Sequence, residues 1–112
     1  MTKIFGAVSI AALVFSDVAF AGFGAIAYNS TTGAWGESHG YPGRRSAERE
    51  ALRTCGGGCS IVNWEENSCV ALATGSSGAW GEGHGYSRRG RAERAAISAC
   101  GAGCTTRVWA CN

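Results

Sequence analysis

The 112-residue chain lacks an apolar run long enough for a membrane span: a bilayer needs roughly 20 such residues, and Ser16-Asp17 breaks the stretch that begins at Ile4. Lysine and aspartate are confined to Lys3 and Asp17, and beyond them charge is carried by nine Arg and seven Glu. That near balance argues against nucleic acid as a partner, because a nucleic-acid-binding domain shows a larger, one-sided basic excess. Only two histidines are present, and the cysteines form two CxxxC pairs with no CxxC. Zinc ribbons and fingers need CxxC spacing with a second pair or matching histidines, so this set misfits a structural zinc site. No cysteine precedes Cys55, which leaves a lipoprotein-type leader without an acceptor for its lipid.

What is present at the N-terminus has the order of a secretory signal. Lys3 is the positive segment, Ile4 to Phe15 the apolar one, and Ala19-Phe20-Ala21 a small-x-small cleavage site. Residues 1–21 are therefore expected to be a signal peptide cut before Gly22, leaving no membrane span. The mature domain, 22–112, is expected in the periplasm or outside the cell. Cys55, Cys59, Cys69, Cys100, Cys104 and Cys111 all fall within it. An even count in a short exported chain reads as a disulfide framework.

A repeat at an offset of 45 residues dominates the rest. Gly33-Ala34-Trp35-Gly36-Glu37 returns as Gly78-Ala79-Trp80-Gly81-Glu82, and His39-Gly40-Tyr41 as His84-Gly85-Tyr86. Ala47-Glu48-Arg49 returns as Ala92-Glu93-Arg94, and Cys55, Cys59 and Trp64 as Cys100, Cys104 and Trp109. The repeats span about 23–66 and 68–112. Each opens with an extended apolar segment, Gly24 to Tyr28 or Cys69 to Thr74, then a turn cluster and a second extended stretch through Trp35 or Trp80. Ala47, Ala51, Leu52 and Cys55 share one helical face, as do Ala92, Ala96, Ile97 and Cys100. Ser46 is the first candidate N-cap, with Ser87 or Gly90 for the second helix, and glycines 56–58 and 101–103 end the helices. Final strands cover Ile61 to Trp64 and Thr106 to Trp109. The fold class is thus α+β: two tandem β-β-α-β repeats forming one disulfide-stapled domain, with about six strands and two helices.

Six cysteines allow 15 pairings. If both repeats fold alike, Cys55 pairs with Cys59 and Cys100 with Cys104, leaving Cys69 for Cys111. Loop entropy assigns about 2 kcal/mol to each short bridge and about 4 to the long one. Crossed pairing between the two CxxxC turns remains the alternative.

The pattern from Gly24-Ala25-Ile26-Ala27-Tyr28 through Gly33-Ala34-Trp35-Gly36, the Ala/Glu/Arg helix, the cysteine-glycine turn and the Trp64 and Trp109 strands resembles the DUF4189 family of small exported bacterial proteins. The resemblance covers nearly the whole mature chain and implies a secreted or periplasmic location. It implies no established activity, so no catalytic residue is carried over from it. Family members often place a bulky aromatic near His39 and His84, so those histidines are not carried over either.

Function has to be sought in the residues. Glu37-x-His39 and Glu82-x-His84 put a carboxylate and an imidazole on one strand face; brought together, they would make a two-His, two-carboxylate metal site. A solvated face duplicated with the unit explains the same pattern. Nucleophilic catalysis finds little support. The cysteines are expected in disulfides, strand neighbours Glu37, Ser38 and His39 do not point at one another, and no strained elbow is read there. A glycosidase-like use of Glu37 and Glu82 needs a deep cleft that a chain this short is not expected to offer. Trp64 and Trp109 are expected in the core, whereas Trp35 and Trp80 could go either way. Tyr41, Arg44, Arg45, Tyr86, Arg88 and Arg89 lie in repeated loops before the helices and have the residue types of binding hot spots. They form the candidate face for a protein or an acidic envelope polymer. The expectation is a non-catalytic, exported interaction module without a cofactor; a metal-binding or hydrolytic role of the Glu-x-His pairs, or a structural envelope role, is the alternative.

Overall fold

The computed structural model describes residues 22–112, so the signal peptide expected at 1–21 lies outside the described residues. Strand β1 (Phe23–Tyr28) turns into β2 (Trp35–Tyr41), helix α1 (Arg44–Cys55) follows, and β3 (Ser60–Glu66) closes the first unit. The second repeats the order as β4 (Cys69–Thr74), β5 (Trp80–Tyr86), α2 (Arg89–Cys100) and β6 (Thr105–Cys111). Each unit makes its own antiparallel sheet, ordered β2-β1-β3 and β5-β4-β6, with the first strand central. This is the β-β-α-β duplication read from the sequence.

Alternation along the central strands explains how the layers stack. On β1, Ala25 and Ala27 face Ala47, Ala51 and Cys55 of α1, while Ile26 and Tyr28 face the other sheet and meet Val70, Leu72, Val108 and Ala110. Strand β4 does the same, packing Ala71 and Ala73 on Ala92 and Ala96 of α2. The order is helix, sheet, sheet, helix. Ile26, Val70 and Leu72 are fully buried between the sheets, each contributing about 1.5–3 kcal/mol of apolar burial. Strand β1 lies against β4, β2 against β6 and β3 against β5, so a pseudo-twofold axis relates the halves.

The contact between helix and sheet is close enough to depend on glycine. A Cβ at Gly36 would collide with Ala51 O and Cys55 N, and one at Gly81 with Cys100 N and Ala96 O. Alanine is the largest residue that most of this layer admits, which corrects the expectation for tryptophan. Trp64 and Trp109 are 37% and 39% exposed, on the rim beside the helix N-termini. Arg44 Cζ lies 4.2 Å above the Trp64 ring and Arg89 Cζ 4.0 Å above Trp109. Trp35 and Trp80 are similarly exposed, at 40% and 41%, and Trp80 leans on Tyr28 across the sheets at 5.7 Å.

The first helix starts earlier than the cap read from sequence, and the second starts between its two candidates, Ser87 and Gly90. Gly43 and Arg88 precede the first turns without a side-chain cap; Ser46 lies inside α1, its hydroxyl donating to Gly43 O at 3.0 Å. Arg44, Arg45 and Arg89 therefore belong to helical first turns, not to loops. Cations are unfavourable there, and the Arg44–Glu48 and Arg89–Glu93 pairs, both 3.0 Å, together with the indole faces, offset this. Gly56 and Gly101, at φ 103° and 109°, end the helices as expected. The bridges are Cys55–Cys59, Cys100–Cys104 and Cys69–Cys111.

Candidate polar cleft between the sheets

Register refines the repeat. Ala25 pairs with Ser38 and Trp64, and Ala71 with Gly83 and Trp109, so the central strands correspond at an offset of 46, not 45. The turn from β1 to β2, Asn29–Ala34, is one residue longer than Gly75–Ala79. Gly24 thus corresponds to Val70, Asn63 to Val108 and Glu65 to Ala110.

These three correspondences break the symmetry of the sheet interface. In the second half, Val70 pairs with Ala110 and Leu72 with Val108, all apolar. Their counterparts in the first half are Gly24 with Glu65 and Ile26 with Asn63. Asn63 is 5% exposed and Glu65 3%. Gly24 is required: a Cβ there would collide with the Glu65 carboxylate and lie 2.6 Å from Ser38 O.

The polar residues form a short network. Asn63 Nδ2 donates to Glu82 Oε1 at 3.1 Å and lies 3.5 Å from Ala71 O. Both neighbours are acceptors, which fixes the orientation of the amide. Glu82 Oε1 also lies 2.8 Å from His84 Nδ1, so that nitrogen carries a proton and donates to the carboxylate. Glu65 Oε2 accepts from Asn112 Nδ2, and Asn112 Oδ1 accepts from Gly40 N, tying the end of β6 to β2. Asn63 Oδ1 and Glu65 Oε1 are buried with no donor. Burial pushes the Glu65 carboxyl above its usual range, opposed by the Asn112 hydrogen bond, the Ser68 backbone and the charge of His39. Asn63, Trp64, Glu65, Glu66, Ser68 and His84 line a cleft of about 460 Å³ along this edge.

That volume lies within the range of ligand pockets, in a groove open to solvent rather than a deep cleft. The sequence reading missed Asn63, Glu65 and Asn112. Its third strand stopped at Trp64, whereas the observed strand continues through Glu66. Comparing the repeats position by position would have found them, since a duplicated strand here trades Val108 and Ala110 for Asn63 and Glu65.

The residues singled out from sequence are dispersed. Glu37 and His39 pair at 3.2 Å on β2, and Glu82 and His84 on β5. These strands are opposite edges of the sandwich, so the pairs do not converge. Among the described residues no three His, Cys, Asp or Glu side chains form a metal-binding group. Gly36-Glu37-Ser38-His39-Gly40 matches the spacing of a nucleophile elbow, a match the sequence reading passed over. Ser38, however, lies within β2, buried against α1, and donates its hydroxyl to Ala47 O at 2.6 Å. Arg44 and Arg45 project from one outer helix and Arg88 and Arg89 from the start of the other, so the two arginine clusters do not make one face. Tyr41 and Tyr86 are partly buried against the alanine layers.

No helix among the described residues is long and apolar enough to cross a membrane. No curated protein matches the chain. A solved structure, the NMR structure of Rv1813c from Mycobacterium tuberculosis, is similar with a TM-score of 0.64 and 30% identity, over 81% of this chain and 75% of that one. The family profile described as a domain of unknown function, DUF4189, matches residues 23–111. The strand order, the duplicated helix and the paired cysteines all fall within that span, and the chain belongs to the DUF4189 family.

Proposed function

We propose that this chain is an exported, non-catalytic recognition module that works in the periplasm or outside the cell and binds a protein or envelope polymer through the cleft between β3 and β5. Three disulfides call for an oxidising compartment, and residues 1–21 have the pattern of a secretory leader. The observation that carries the binding site is the asymmetry of a duplicated interface. One half packs Val70, Leu72, Val108 and Ala110; the other keeps Asn63 and Glu65 buried with oxygens unpaired. An unpaired buried polar group costs about 1–3 kcal/mol, and the second repeat demonstrates an apolar solution for the same fold. Sites that forgo such stabilisation are where function is to be sought. A binding role fits the side chains better than catalysis, since every cysteine is in a disulfide and the Ser38 hydroxyl is held by a backbone carbonyl.

The test is affinity capture from envelope and culture-supernatant extracts with oxidised protein as bait. The Glu65→Gln/Glu82→Gln variant is expected to lose the specifically retained partner, while Arg45→Ala/Arg88→Ala keeps it. Retention unchanged by the double glutamine variant would remove the cleft from the interaction.

A further inference from the structure

We propose that the β3/β5 cleft is a receptor for a primary ammonium group, such as that of an amino sugar or a basic side chain. The inference rests on the recognition role given above and names the chemistry the cleft accepts. Acceptors predominate among its polar atoms: Asn63 Oδ1 and Glu65 Oε1, buried within the lining residues, are without donors, and the Glu82 carboxylate stands beside Asn63. Glu66 adds a third carboxylate, after Glu65 and Glu82. None of the nine arginines lines the cleft, although the chain as a whole carries a formal charge of +2. The cleft is thus a local negative site in a mildly basic protein, and it lacks what a positively charged, multiply donating group supplies.

The donor set separates an ammonium from other occupants. An anion would meet three carboxylates and unpaired lone pairs. A transition metal prefers three or more well-placed imidazole, thiolate or carboxylate ligands, and the described residues gather no such group. An ammonium offers three N–H donors and a full charge to a buried carboxylate, a charge-assisted contact stronger than a neutral hydrogen bond. Trp64 and Val62 form the apolar part of the lining, suited to the carbon stem of such a ligand.

The opposite groove serves as an internal control. There Glu37 and His39 face Trp109, Ala110 and Cys111, so the Glu-x-His pair is kept but the unpaired buried acceptors are absent. A site made by the Glu-x-His pair alone would bind at both grooves. The ammonium receptor described here binds at one.

The experiment is a two-dimensional NMR titration of the oxidised protein with butylammonium chloride at about pH 7.5, where the amine is charged, against butanol as the neutral counterpart. A ligand of this size should bind with a Kd of about 1 mM. Saturable shifts of the Asn63 side-chain amide and the Trp64 indole are expected with the amine and not with butanol. Glu65→Gln should weaken binding at least about tenfold, and Glu37→Gln should leave it unchanged. Equal shifts with butanol, undiminished binding by Glu65→Gln, matching shifts around His39, or no saturation would each overturn the proposal. Partner capture separates the two failures. If the amine does not bind but the Glu65→Gln/Glu82→Gln bait still loses its partner, the cleft recognises something other than an ammonium. If that bait keeps its partner, the recognition role of the cleft falls as well.

Discussion

Replacing Glu65 by glutamine should stabilise the protein at neutral pH, and the gain should fade on acidification. The carboxylate is 3% exposed and desolvation is the main influence on it, so removing its charge without changing its shape relieves part of the cost of burying it, about 1–3 kcal/mol. For a domain near 90 residues each kcal/mol moves Tm by about 4–8 °C, so an increase of roughly 4–24 °C is expected near pH 8. Burial holds the folded carboxyl above 4.5, its ordinary value. Above the raised folded value Glu65 is ionised in both states and its charge opposes folding. As pH falls through the raised folded value, the native state takes up the proton first and the wild type gains stability; below 4.5 both states are protonated and the gain stops. The gap between wild type and variant should therefore close across that window. Glu50 acts in the opposite sense, because its hydrogen bond from Arg53 holds its carboxyl below the usual value. Its stabilisation is lost on acidification, and only the difference between the two proteins isolates Glu65. Thermal melts followed by near-UV circular dichroism at several pH values would measure it. A variant that melts lower at pH 8, or a gap that ignores pH, would refute the account of Glu65 as a strained buried charge.

Other consequences can be checked on the same protein. Gly36→Ala or Gly81→Ala drives a methyl into helix backbone that cannot yield, and should cost at least about 3 kcal/mol in urea unfolding, the upper part of the overpacking range. Replacing Cys69 and Cys111 together by alanine opens a loop spanning 42 positions and should cost about 4 kcal/mol, against about 2 for Cys55 with Cys59, whose separation is 4; equal losses would contradict the loop-entropy account. Arg44→Ala uncovers one face of Trp64 and should cost about 0.5–1 kcal/mol while shifting indole emission to the red.

Much of the architecture was legible because duplication supplies two readings of every element. Helix ends were marked by Gly56 and Gly101, central strands by apolar runs, and the cysteine pairs by their shared positions. Tryptophan was misplaced because large apolar residues are ordinarily core, whereas here glycine and alanine bring each helix so near its sheet that no indole fits. Arginines at 44 and 89 looked like loop residues because their stabilising partners, Trp64 and Trp109, are distant in sequence. The cleft was hidden for a different reason: its residues are conspicuous only against their counterparts, and a turn longer by one residue shifts the central strand out of the obvious alignment.

A homodimer of a single β-β-α-β unit would have to use the same side chains at both edges of its sheet interface. Any residue suited to a ligand would then appear twice and weaken the packing twice. Joining the copies in one chain removes that constraint: Val70, Val108 and Ala110 hold the sheets together while Gly24, Asn63 and Glu65 are free to diverge. The fused chain can thus carry one specialised edge at the stability cost of one, an economy closed to a symmetric pair.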